Sequence, residues 1–117
     1  MNYVRIDYKG NIRPIRDEEL IGYICDDVGH VLIVTGQREA SKDLHEELQW
    51  RLQPLESSPR ELTLRLQNSS VKIRTNFDWP DYMGLQLTSA YIHRDASIDF
   101  MLKILSKCRY VPSWCCN

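Results

Sequence analysis

From Tyr3 to Arg16 the chain alternates, with Val4, Ile6 and Tyr8 on one side and Tyr3, Arg5 and Asp7 on the other. Lys9-Gly10-Asn11 interrupts the pattern before Ile12-Arg13-Pro14-Ile15 resumes it. A period of two on both sides of a glycine-bearing turn predicts a β-hairpin, because successive side chains of an extended chain point to opposite faces. Pro14 has no amide proton, which puts the second strand at a sheet edge.

The period changes at Asp17. Leu20, Ile21, Ile24, Cys25 and Val28 make one apolar stripe of an α-helix. Asp17 is placed as its N-cap, Glu18 and Glu19 lie against the positive end of the dipole, and Gly29 is the stop. Val31-Leu32-Ile33-Val34 is a continuous, largely β-branched run that predicts a central strand buried on both faces. Ala40, Leu44, Leu48 and Leu52 recur every four residues and predict a second helix from Arg38 to Leu52, with Glu47 and Arg51 paired on its outer side. Pro54 ends that helix, and Glu56-Ser57-Ser58-Pro59 reads as a linker.

A second hairpin is expected from Glu61 to Phe77 around Asn68-Ser69-Ser70. Leu62, Leu64, Leu66, Val71, Ile73 and Phe77 form its core side; Thr63, Arg65, Gln67, Lys72, Arg74 and Asn76 form the other. Asp78-Trp79-Pro80-Asp81 makes a turn. Gly84 to His93 fits both periods; Gly84 and Thr88 disfavour a helix, so a strand is expected. Asp95 then caps a last helix with Ile98, Met101, Leu102, Leu105 and Cys108 as its stripe. The order β-β-α-β-α-β-β-β-α defines an α+β fold, a mixed or antiparallel sheet of about five to six strands with helices packed on one face. Residues 1–108 form a single domain, and 109–117, interrupted by Pro112, an irregular tail.

Composition narrows the class. The 117 residues suit one domain, and 43% hydrophobic with 26% charged positions excludes a disordered chain or a coiled coil. No apolar run approaches a membrane span and residues 1–16 hold no secretory core, so a soluble cytoplasmic protein without membrane contact is expected. Cys25, Cys108, Cys115 and Cys116 do not make a disulfide framework, since adjacent cysteines strain any bridge between them. Reduced thiols follow.

Charge changes the picture most. Residues 17–56 carry ten acidic side chains against Arg38, Lys42 and Arg51, a net of −7; the remainder carries twelve basic against six acidic, a net of +6. Opposite fields on one small body steer association and select partners.

Catalytic and metal signatures are thin. There is no C-x-x-C, and Cys108, Cys115, Cys116 and His93 converge only if the tail folds back, so no metal or cofactor is expected. His30 is placed at the first helix's C-terminus and His45 on the exposed side of the second helix. His93-Arg94-Asp95 matches the kinase catalytic tripeptide, but Phe100 stands where its asparagine is required and no glycine-rich loop exists. Thr35-Gly36, between strand and helix, offers backbone amides to a phosphate or is a plain turn.

Two sets of residues remain. If both hairpins share one sheet face, Arg5, Arg13, Arg65, Lys72 and Arg74 gather beside Tyr3 as an anion or nucleic-acid surface. Against this stands the overall charge of −1. Trp50 falls off the stripe of the second helix beside Glu46 and Glu47, and Trp79 and Trp114 lie in a turn and the tail, which is the composition of a partner-binding surface. The leading expectation is a non-enzymatic interaction protein of inhibitor, immunity or anti-defence type, binding a protein partner or itself. The alternatives are nucleotide or single-stranded nucleic-acid binding by the basic hairpin faces, and a small hydrolase or nuclease using His93 or His30.

Overall fold

The computed structural model describes residues 2–75 and 87–97. Along them run β1 (Tyr3–Asp7), β2 (Ile12–Ile15), α1 (Asp17–Asp26), β3 (Gly29–Thr35), α2 (Arg38–Leu52), β4 (Glu56–Ser58), β5 (Thr63–Arg65), β6 (Ser69–Thr75) and β7 (Leu87–His93). The expected turn at Trp79, the last helix from Ile98 to Cys108, and the tail with Cys115, Cys116 and Trp114 lie outside the described residues.

The strands form one mixed sheet in the order β2-β1-β7-β3-β6-β5-β4. β3 lies parallel to both β6 and β7, and antiparallel pairs complete each flank. The α+β class is as expected, with seven strands rather than five or six. Pro14 sits in β2 at an edge, where its missing donor breaks no ladder. Val31 to Val34 run through the middle of the sheet and are buried on both faces.

Both helices cover one face. Leu20 and Ile24 of α1 and Leu48 of α2 share a core with Tyr3, Val31, Ile33, Val71, Ile73 and Tyr91. The other face carries a second core of Ile6, Leu32, Val34, Leu87, Ala90 and Ile92. Each fully buried aliphatic side chain stabilises the fold by roughly 1.5–3 kcal/mol relative to an exposed one.

Several local expectations are corrected. Residues 56–58 are not a linker but the edge strand β4, paired residue for residue with β5; a backbone ladder needs no apolar alternation at an edge. Arg16, in extended conformation, precedes α1, so Asp17 is the first helical residue rather than the cap. The Arg16 amide donates to the Glu19 carboxylate at 3.1 Å while the Glu19 amide donates to the Arg16 carbonyl at 3.0 Å. Gly29 does not stop α1. Its φ of +81° turns the chain into β3, where a Cβ would lie 2.8 Å from Thr88 Cγ2. Cys25, inside α1, and Val28, beyond its end, are exposed rather than part of the core.

The inward face of α2 is turned by about one residue from the expected stripe. Ser41, His45 and Leu48 are buried, Leu44 and Leu52 half-buried, and Ala40 exposed. Two polar groups point inward because the sheet satisfies them. The Ser41 hydroxyl meets Thr35 Oγ1 at 2.6 Å, and His45 Nε2 lies 3.0 Å from the Thr63 carbonyl and 3.3 Å from Ser57 Oγ. His45 is thus a buried strut, not an exposed side chain. His30 is the second residue of β3, exposed, and not part of a helix end.

Candidate functional site: an acidic cleft and an exposed tryptophan on the helix layer

Strand order disperses the expected basic surface. Register places Arg5 opposite both Arg13 and Tyr91, and Tyr91 belongs to the helix-side core, so Arg5, Arg13 and Tyr3 point to the helix face. Val71 and Ile73 point the same way, which sends Lys72 and Arg74 to the opposite face, with Arg65 beside them across from Ser70. The six residues do not meet. Tyr3 is only 5% exposed. Arg74 donates to the carbonyls of Glu61 and Ile73 at 2.6 and 2.8 Å, and Arg65 lies 3.8 Å from the Glu56 carboxylate.

Arg5 is committed to a partner that sequence reasoning missed. Asp27, just past α1, is buried, and its Oδ1 accepts from Arg5 Nη2 at 2.7 Å. Its Oδ2 accepts from Ser89 Oγ at 3.0 Å and from the Tyr91 hydroxyl, which in turn accepts from Arg5 Nε at 3.2 Å. The guanidinium also lies over the Tyr23 ring at 5.1 Å, with Arg13 over the same ring at 5.7 Å. Burial works against the charge of Arg5, but its hydrogen bonds to Tyr91 and Asp27 outweigh that, and its pKa is raised. The network ties β1, β7 and the α1–β3 connection together. Nothing in the local pattern marks it, because its members lie up to 86 residues apart.

The turn after β3 is closed. Thr35 Oγ1 donates to the Gln37 carbonyl at 2.9 Å, and a Cβ on Gly36 would lie 2.6 Å from the Asp95 carbonyl oxygen. Thr35-Gly36 is a plain turn packed under the segment that follows β7.

The helix layer is different. α1 presents Asp17, Glu18, Glu19 and Asp26, and α2 presents Glu39, Asp43, Glu46 and Glu47 alongside Arg38, Lys42 and Arg51, all outside the core. Asp43, Glu46, Glu47 and Trp50 share one side of α2 by helical spacing. Trp50 is 77% exposed and Leu55, past the end of α2, is 71% exposed. Trp79 and Trp114 lie outside the described residues.

Between the helices opens a cleft of about 580 Å³, lined by Tyr3, Asp17, Leu20, Leu44, Glu47 and His93 among others. The size falls within the roughly 300–1,000 Å³ range of ligand pockets. The Tyr3 and His93 rings meet edge to face with centroids 5.1 Å apart. His93 Nδ1 lies 3.3 Å from the Asp95 carboxylate. Glu47 also holds Arg51 at 3.3 Å, and Asn2 donates to Asp17.

Burial, reinforced by Asp17 and Glu47, raises the Tyr3 pKa; burial, then Asp27, raises that of Tyr91. A raised folded pKa contributes stability that is complete below the unfolded phenol value, about 10, and is lost as pH rises through the folded value. The melting temperature is therefore expected to fall above about pH 10, and Tyr3→Phe to make that fall shallower. Melting curves recorded across this range check it; equal slopes for the two proteins contradict it.

No described helix is long and apolar enough to cross a membrane. Among the described residues no three His, Cys, Asp or Glu side chains are placed to hold a metal. Comparison with known protein families, curated proteins and solved structures finds no match to this chain.

Proposed function

We propose that this protein is a non-enzymatic interaction module of the inhibitor type, which covers a basic surface of a protein partner with its acidic helix layer. The observation that carries the reading is Trp50, 77% exposed among Asp43, Glu46 and Glu47. A large aromatic left in water beside like charges gains by burial against a surface of opposite sign. The division of the basic residues favours this reading over nucleic-acid binding: Arg5 is occupied by Asp27 on the helix side, and Arg65, Lys72 and Arg74, on the other face, have Arg65 near Glu56 and Arg74 bonded to backbone carbonyls.

Affinity capture with the full chain, repeated with Trp50→Ala and with Glu46→Lys/Glu47→Lys, tests it. Trp50→Ala is expected to change stability by less than about 0.5 kcal/mol, because the side chain packs against little. The same change should weaken partner binding by at least about 30-fold, the cost of losing an interface anchor worth about 2 kcal/mol. The partner should be basic, and added salt should weaken its binding. A complex indifferent to both variants overturns the reading. So does capture of nucleic acid that is lost on replacing Arg65, Lys72 and Arg74 by alanine. Turnover abolished by His93→Ala would replace it with the hydrolase reading.

A further inference from the structure

The cleft between α1 and α2 contains a polar group that no described residue uses. Tyr3 is 95% enclosed and its ring is fixed against His93, yet its hydroxyl has no hydrogen-bond partner among the described residues. Every fully enclosed side-chain nitrogen or oxygen among them has a partner. The Tyr3 hydroxyl therefore keeps its access to the cleft that it lines. Asp17 from one helix and Glu47 from the other act on it electrostatically. A hydroxyl on an otherwise enclosed ring, opening on a cleft that carboxylates of both helices also line and without a partner among the described residues, suits a ligand that supplies the donors.

The charge selects the ligand. Asp17, Glu18 and Glu47 line the cleft against Arg51, so an anion is repelled, and a neutral donor gains a hydrogen bond but not the coulombic attraction that a cation adds. No set of ligands for a metal ion is present among the described residues. An organic cation suits this lining, which offers carboxylates and a phenol oxygen to N–H donors, and Leu20, Leu44 and the Tyr3 and His93 rings to a methylene chain.

We propose that the cleft is the receptor for one lysine or arginine side chain of the protein partner, inserted between Asp17 and Glu47 against Tyr3. The inference deepens the docking reading and rests on it. It makes the helix layer a two-point surface, with Trp50 contributing its own aromatic anchor and the cleft receiving a cation.

The test is a titration of the full chain with acetylated, amidated tripeptides carrying a central arginine, lysine or uncharged citrulline, followed by NMR of the Tyr3 and His93 rings. Arginine and lysine peptides should shift both rings and citrulline should not. Asp17→Asn and Glu47→Gln should each weaken binding about tenfold, the effect of a charge-assisted hydrogen bond. Tyr3→Phe should weaken it by a smaller factor without lowering the melting temperature, since the lost hydroxyl had no partner among the described residues. Equal shifts with citrulline, or affinities unchanged in the carboxylate variants, overturn the proposal. Tighter binding of spermidine than of either cationic peptide overturns the protein source. A silent cleft together with partner capture that still depends on Trp50 removes this inference and leaves the docking reading intact. Peptide binding in the cleft together with capture indifferent to Trp50 removes the docking surface, and with it the two-point arrangement.

Discussion

Asp27→Ala is expected to destabilise the protein by about 3–5 kcal/mol, the usual cost of removing one partner from a buried ion pair. Arg5 would remain with its guanidinium only partly accessible, at 18% side-chain exposure, facing the vacated position. Ser89 and Tyr91 would each lose an acceptor at the same time. Among the described residues the other carboxylate within ion-pair reach, Asp7, lies 3.6 Å from Arg5 Nη1 and does not replace the lost contact. Paired replacement of Arg5 by Met and Asp27 by Leu should cost less than the single change, because it leaves no charge stranded. Denaturant titration of the single and double variants measures both. A double variant less stable than Asp27→Ala would show that the network contributes more as a polar unit than an apolar filling does.

Ile33→Ala should have the next largest effect, about 2–5 kcal/mol. Ile33 is fully buried in β3, with Ile73 and Tyr91 beside it on the two parallel neighbours and both helices over the same core. Strands held by ladders on both sides do not move inward to refill the space, so a cavity remains. Chemical denaturation with an unchanged slope and a lower midpoint is the expected result. A loss below about 1 kcal/mol would mean that this region relaxes far more than a central strand should.

What the sequence revealed depended on whether the signal was local. The first hairpin was legible because alternation and Gly10, at φ +84°, act within a few residues of each other. β3 was legible because only a central strand needs four consecutive apolar side chains. The register of α2 was misread because hydrophobicity does not reveal that Thr35 and Thr63 satisfy Ser41 and His45. The edge strand β4 was missed because its pairing is carried by the backbone.

The basic surface failed for a longer-range reason. Each hairpin's own division into faces was readable, but the expected placement of Arg5 with Lys72 and Arg74 required the two hairpins to share an orientation. In the fold β7 and β3 stand between them, and each pairing resets which face a given residue occupies. The Asp27 network had the same obstacle, since Arg5 and Tyr91 meet through a β1–β7 pairing that no local period encodes. The acidic side chains of residues 17–56 could be placed because eight of them lie on two consecutive helices, where local spacing is enough to put them outside the core.

Hydrogen–deuterium exchange of the captured complex, compared with the free protein, tests the central claim most directly. Binding through the helix layer should slow exchange in Glu46–Leu52 and in the first turns of α1, and leave β5 and β6 unchanged. Protection confined to β5 and β6, around Arg65, Lys72 and Arg74, would contradict it.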